Sequence, residues 1–293
     1  MKVIIACLNS KFVHASLSPW CLLAGIREFS KNSHDTLVME STINSDTEAF
    51  AHRILNEKPD ILAFSCYIWN ITKTLEVCQT VKKNHDCKIV LGGPEVAYRS
   101  KDILEKYEFA DFVLSGEGEW TFPDFIDNIS GDLSLVSGLT YRNGDEIISV
   151  PEKEYTDSPP SPFCDEFFEN LNGRISYIET ARGCPYRCAF CLSGRCSPLR
   201  FFDIQRVKNE IIRLSNSGTR TVKFVDRTFN ANAQRANEIL LFIKDNYGKD
   251  IPSGVCFHFE IAGDILKAST LEILSSMPRG AVQLEIGMQS FNE

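Results

Sequence analysis

From residue 1 to about residue 130, short β-branched and apolar runs alternate with longer segments of helical periodicity. Val3–Leu8 reads as a first strand, and the helix after it begins at Ser18 with Pro19 as first helical residue, where the missing N–H is not needed. Thr36–Glu40, Asp60–Ser65, Lys88–Leu91 and Phe112–Ser115 read as four more strands, with helices expected through Ala49–Leu55 and Thr74–Lys83. This alternation specifies βαβ units on a parallel sheet, and five strands suit a flavodoxin-like (Rossmann-like) doubly wound α/β domain. Ligands of such folds lie at the carboxyl ends of the strands. The segments to inspect are therefore Asn9–His14, Ser65–Asn70, Gly92-Gly93-Pro94-Glu95 and Gly116-Glu117-Gly118-Glu119.

Leu139–Val150 has the pattern of a hairpin with Asn143-Gly144 as its turn. Pro151 to Pro162 is too rich in proline for regular structure, and 151–173 reads as a linker between a domain at 1–150 and another at 174–293. A second βα series begins near Arg174. Its strands are Ile175–Glu179, Thr221–Val225, Cys256–Ile261 and Val282–Gly287. Helices are expected over Ile204–Leu214 and Ala233–Tyr247, and a third is expected behind the capping box Ser269-x-x-Glu272.

The strongest chemical signal is the segment Arg182-Gly-Cys-Pro-Tyr-Arg-Cys-Ala-Phe-Cys-Leu, whose Cys184, Cys188 and Cys191 have the spacing C-x3-C-x2-C. Three thiolates this close form a soft-ligand set suited to iron–sulfur or zinc. A cubane cluster ordinarily takes four cysteines, so three leave one iron open to a ligand. Two other readings compete. Positions i, i+4 and i+7 share a helix face, although Gly183 and Pro185 break the first turn of such a helix. Cys196 would complete a zinc site, although zinc modules usually join two separated C-x2-C knuckles.

Composition adds a setting. The chain has 293 residues, 43% of them hydrophobic, with 11 cysteines and a net charge of −8. The odd cysteine count and the apolar surroundings of Cys7, Cys21, Cys66, Cys78 and Cys256 indicate buried free thiols rather than a disulfide scaffold. The opening Met1-Lys-Val-Ile-Ile-Ala-Cys-Leu is too short an apolar run for a leader, and no run approaches a membrane span. A reducing cytoplasm is expected. The negative charge argues against generic nucleic-acid binding. Arg182 to Arg227 is nonetheless +7, a candidate docking surface for an acidic electron donor or simply a solvated face.

Taken together, the cysteine segment, Leu91-Gly92-Gly93-Pro94, Gly116-Glu-Gly-Glu119, Phe224-Val-Asp-Arg-Thr-Phe229 and Glu285-Ile-Gly-Met-Gln-Ser290 resemble the radical S-adenosylmethionine enzymes that carry an N-terminal cobalamin-binding domain. The resemblance covers nearly the whole length. It implies a [4Fe–4S] cluster on Cys184, Cys188 and Cys191, with S-adenosylmethionine on the open iron and Phe190 at the aromatic position of the motif. It also implies reductive cleavage to a 5′-deoxyadenosyl radical, an electron donor such as a flavodoxin or ferredoxin, and methyl transfer from cobalamin to an unactivated carbon. The alternatives are a radical enzyme whose cobalamin domain is empty or non-catalytic, and a non-catalytic corrinoid or iron–sulfur sensor module.

The same resemblance places cobalamin at the carboxyl edge of the first sheet, near Ser65, Gly92 and Gly93. The cobalt-ligating D-x-H-x-x-G is missing, because the loop after the first strand is Asn9-Ser-Lys-Phe-Val-His14. His14 therefore reads as a loop residue, with the lower cobalt face free of protein ligation. Asp226 stands where relatives hold the methionyl ammonium, a three-proton donor that suits a carboxylate, with an N-cap or loop role as its alternative. Glu260 and Gln289 are candidates for the ribose hydroxyls or methionyl group, with Glu285 and Gln283 nearby in sequence. Arg182 and Arg187 stand beside the cluster charge, or in solvent. Radical S-adenosylmethionine domains generally build a longer partial (β/α) barrel than the four βα starts found here. The expectation is therefore a truncated barrel whose substrate-specifying later elements are missing.

Overall fold

The computed structural model describes residues 1–171, 173–192 and 198–287. They form two compact units, Met1–Tyr155 with Pro159–Cys164, and Thr156–Ser158 with the chain from Asp165 onward.

The first unit is a seven-stranded sheet. Its strands are β1 (Lys2–Asn9), β2 (Asp35–Thr42), β3 (Ile61–Ser65), β4 (Lys88–Gly92), β5 (Phe112–Leu114), β6 (Leu139–Asn143) and β7 (Glu146–Ser149). The spatial order is β2-β1-β3-β4-β5-β6-β7. The first five strands run parallel, and β6 and β7 are antiparallel. The helices are α1 (Ser18–Phe29), α2 (Thr47–Glu57), α3 (Ile71–Asn84), α4 (Pro94–Ala97), α5 (Ser100–Lys106) and α6 (Gly118–Asn128). β1 and β3 read as unbroken apolar runs because they are interior parallel strands, buried along nearly their whole length. The hairpin turn is Gly144-Asp145, not Asn143-Gly144, since Asn143 pairs with Glu146 in the last rung of the ladder.

α1 lies against α6 at a very close crossing. A Cβ built on Gly25 would sit 2.1 Å from the Glu119 carbonyl oxygen, so only glycine admits this approach.

In the second unit, α7 (Asp165–Leu171) lies inside the stretch expected to be linker, and regular structure is absent only from 150 to 164. β8 (Ser176–Ile178), β11 (Thr221–Phe224), β12 (Cys256–Ile261) and β13 (Val282–Ile286) form a parallel sheet in the order β13-β12-β11-β8. Two short strands, β9 (Ala181–Arg182) and β10 (Arg200–Phe201), pair antiparallel apart from it. α8 (Ile204–Ser215), α9 (Ala233–Asn246) and α10 (Ala268–Ser275) are the connecting helices. This is a partial (β/α) barrel, and no closed ring is formed among the described residues.

Strand alternation gives the sheet two unlike faces. Phe224, Phe257, Phe259 and Ile261 are buried on one, where Phe259 packs 4.4 Å from Phe224 and 4.2 Å from Phe229 between ring centres. Tyr177, Lys223, His258, Glu260 and Glu285 fall on the other.

The capping box at Ser269 does not form. The N-cap of α10 is Lys267 without a side-chain bond, and the Ser269 hydroxyl accepts from Asn237 instead. Among the described residues, no helix is long and apolar enough to cross a membrane.

Gly25→Ala should test the α1–α6 crossing. Alanine raises helix propensity by up to about 1 kcal/mol, but overpacking against backbone costs about 1–3 kcal/mol and the Glu119 carbonyl has no rotamer to yield. Net destabilisation of about 1–2 kcal/mol is expected in urea titration, and a variant as stable as the parent would contradict the packing described.

Candidate functional site

The carboxyl edge of the first sheet is organised by Asn70, a fully buried amide. Its Nδ2 donates to the Leu8 and Ser65 carbonyls at 3.2 and 3.0 Å, and its Oδ1 accepts from the Tyr67 N–H at 2.8 Å. One side chain thus ties the ends of β1 and β3 together and fixes the loop between β3 and α3. That loop carries Tyr67 and Trp69 stacked at 4.5 Å, with Ile68 79% exposed. Phe12 in the loop after β1 and Tyr98 just after α4 are also exposed. Large apolar groups therefore stand at the ends of three strands adjacent in the sheet, an uncommon concentration for a solvated edge.

Ser65 is buried at the end of β3, and its carbonyl is one of those held by Asn70. Gly93 has φ +97, and a Cβ there would lie 2.6 Å from the Cys66 carbonyl oxygen. The loops after β3 and β4 cross at this point, with Cys66 N–H on the Gly92 carbonyl at 2.7 Å. The fold itself thus demands glycine at 93, whereas a Cβ on Gly92 would meet only ordinary contact with Leu114. His14 is half-buried, and its backbone N–H closes a turn on the Lys11 carbonyl at 3.2 Å.

In the second unit, the cysteines lie on the excursion between β9 and β10. Arg182 pairs with Arg200 and Ala181 with Phe201, so both ends of the excursion are pinned at one base. Cys184 and Cys191 are half-buried and Cys188 is exposed. Cys184 Sγ is 3.6 Å from the Thr228 hydroxyl. Among the described residues, no three Cys, His, Asp or Glu side chains converge to metal-binding distance, so the thiols share a loop without forming a closed cage. The fit to a cluster is one of donor chemistry: three soft, accessible thiols on an anchored loop. Phe190 is 85% exposed among them. Cys196 and Gln289 lie outside the described residues.

Asp226 stands two residues after β11 and is bonded to the protein's own chain. It is 3% exposed, and both its oxygens are engaged. Oδ1 accepts from the Thr180 and Ala181 N–H groups at 2.6 and 3.2 Å, and Oδ2 accepts from the Thr180 hydroxyl. Burial pushes its pKa up, the bonds from Thr180 and Ala181 pull it back, and the balance is about 6. The carboxylate faces the root of the cysteine excursion, and its three bonds are all to that root.

Glu260 belongs to a charged row across the second sheet. Lys223 Nζ lies 3.1 Å from Glu260 and 3.2 Å from Glu285, and His258 Nε2 lies 3.2 Å from the same Glu285 oxygen. Burial lowers the Lys223 pKa, but the two carboxylates outweigh it and the pKa is raised. Lys223, His258 and Tyr177 were not singled out from sequence. Their signal was available, since each alternates with buried apolar neighbours on its strand. Arg182 makes a two-pronged pair with Glu179 and Arg187 is exposed. Among the described basic residues from Arg182 to Arg227, Arg182, Arg206, Lys208, Arg213 and Lys223 have acid partners, which divides the basic stretch.

Comparison with known proteins matches these two halves separately. Residues 5–126 match the B12 binding domain, and residues 178–293 match the Radical SAM superfamily. The chain is 30% identical over 257 residues to 2-(S-pantetheinyl)-carbapenam-3-carboxylate methyltransferase of Streptantibioticus cattleyicolor, covering 74% of this chain and 37% of that one. It is 33% identical over 174 residues to the cobalamin-dependent radical SAM methyltransferase TokK of Streptomyces tokunonensis, covering 53% and 25%. The chain thus spans well under half the length of these two relatives. In fold it resembles the radical S-adenosylmethionine methyltransferase TsrM of Kitasatospora setae, solved with cobalamin and a [4Fe-4S] cluster bound. The TM-score there is 0.75 at 15% identity, over 98% of this chain and 58% of that one. With a B12 binding domain followed by a Radical SAM domain, each on the unit whose geometry suits it, the chain belongs to the radical S-adenosylmethionine proteins that carry an N-terminal cobalamin-binding domain.

Proposed function

We propose that this protein is a cobalamin-dependent radical S-adenosylmethionine methyltransferase acting on an unactivated carbon. The observation that carries the reading is the three-cysteine excursion rooted on β9 and β10, in a chain whose other unit presents an apolar, aromatic carboxyl edge. Cys184, Cys188 and Cys191 would hold a [4Fe–4S] cluster and leave one iron for S-adenosylmethionine. When bound, the cluster supplies the electron that cleaves S-adenosylmethionine, and cobalamin supplies the methyl group.

The residues of the chain bind and orient. Phe12, Ile68, Trp69 and Tyr98 offer apolar contact to a flat corrin at the strand ends, near Ser65, Gly92 and Gly93. Glu260, with Gln289, is proposed to bond the ribose hydroxyls or methionyl group, and Lys223 fixes where the Glu260 carboxylate points. Phe190 flanks the cluster. The electron comes from an external donor such as a flavodoxin or ferredoxin. The pairing of Arg182, Arg206, Lys208, Arg213 and Lys223 with acids reduces the field available to steer that donor.

Anaerobic reconstitution should give about four iron and four sulfide per chain, and Cys188→Ala should abolish the cluster. Stoichiometric zinc in place of iron would overturn the reading.

Corrinoid binding tests the other half. Reconstituted protein should retain hydroxocobalamin through gel filtration, and Trp69→Ala should weaken that binding about tenfold, since losing one stacked aromatic face costs about 1–2 kcal/mol. His14→Ala should leave the absorbance spectrum unchanged. A shifted cobalt spectrum in His14→Ala would place that imidazole on cobalt. No retention in the parent would leave a radical enzyme with an empty first domain.

A further inference from the structure

Thr180 carries several of the bonds at the root of the cysteine excursion. Its N–H and hydroxyl both donate to Asp226. Its carbonyl accepts from the Phe202 N–H at 3.0 Å and from Arg235 Nη2 at 3.2 Å. Thr180 is the residue before β9 and Phe202 the residue after β10, so their bond is the outermost rung of the base of the excursion. Asp226 also accepts from Ala181, the first residue of β9. The same short loop after β11 reaches the excursion again at Thr228, against Cys184. Asp226 is thus bonded to the root of the excursion, and its neighbour two residues on touches the first cysteine.

We propose that Asp226 is a positioning residue that fixes the cluster-binding excursion to the second sheet through Thr180, rather than a contact to the methionyl ammonium of S-adenosylmethionine. The proposal rests on the cluster reading above and adds a role for a residue outside the cysteine motif. Three protein donors already bond this buried carboxylate, which leaves an ammonium at most one of its roughly four acceptor sites. A buried carboxylate that loses its donors pays a desolvation penalty with nothing in return, so the arrangement is stiff. Arg235 braces the same residue from the other side, with its guanidinium 5.3 Å from the centre of the Phe201 ring in β10. Cluster ligation by three cysteines has no fourth protein bond to correct a displaced loop. The position of the root therefore sets how well the thiols meet.

The test uses the whole chain, reconstituted anaerobically, in the parent and in Asp226→Ala, Asp226→Asn and Thr180→Val. Circular dichroism of each establishes that it folds. Release of iron to a chelator, the electron paramagnetic resonance spectrum of the reduced cluster with and without S-adenosylmethionine, and KM for S-adenosylmethionine are then measured. The expected result is iron release about tenfold faster in Asp226→Ala, with a broadened cluster spectrum. Asp226→Asn, which keeps an acceptor for the two N–H groups, should fall between it and the parent. Thr180→Val should shift in the same direction without touching the carboxylate, and it carries the test if Asp226→Ala does not fold.

A parent-like release rate and spectrum in Asp226→Ala with KM raised tenfold would overturn the proposal and restore the ammonium contact. Parent-like behaviour in every measurement would also overturn it. A parent chain that takes up no iron–sulfur cluster would instead overturn the cluster reading itself, and this proposal with it.

Discussion

Parallel pairing is the constraint on which both units depend. A parallel ladder needs a crossover after every strand, so all carboxyl ends fall on one edge, and every loop there is free of the ladder. The edge has to be held together by side chains, because the backbone bonds stop. In the first unit Asn70 does this for β1 and β3 by satisfying two carbonyls and one N–H with a single amide. In the second unit Asp226, two residues past β11, does it for the chain leaving β8, by accepting from Thr180 and Ala181 at the start of β9. A buried polar side chain at the end of a parallel strand is in both cases what turns a sheet edge into a rigid platform.

The platforms differ in character, and the difference follows from strand patterning. β1, β3 and β4 are apolar on both sides, so polarity enters the first unit only past their ends, where the exposed groups are mostly aromatic or aliphatic. The second sheet alternates, and its polar face is charged from Lys223 across to Glu285. The first unit thus offers apolar groups at its strand ends and the second a charged sheet face, two unlike surfaces in one chain. Fixed charges that already pair with each other need little rearrangement when a polar ligand arrives, which is the advantage of preorganised sites.

Much of this was legible in the sequence, and the limits have physical causes. β-branched runs located every strand of both main sheets, because periodicity and burial are local properties. The cysteine spacing named its chemistry because ligand softness belongs to the side chain itself. Pairings between distant residues were not legible. Nothing local marks Thr180 as the partner of Asp226, nor Ser269 as the acceptor of Asn237 in place of a helix cap. The short β9–β10 pair was also missed, since two-residue strands have no periodicity to read. Gly93 was noticed for a ligand-facing reason, yet the backbone of Cys66 is what forbids a side chain there.

The charge pattern shows why counting along the chain overstates a surface. The segment from Arg182 to Arg227 is +7 in sequence, but α8 presents Arg206 to Glu210 on its own next turn and Lys208 to Glu238 on α9, while Lys223 turns onto the polar face of the sheet. Pairs of this kind add little stability when exposed, yet their fields largely cancel at distances well beyond their own separation. Within the cysteine loop itself, Arg187 is exposed and only three residues from Cys184. On the proposed reading, the anchoring of Thr180 bears on electron delivery as well as on cluster binding, because both act through the one loop that carries the three cysteines.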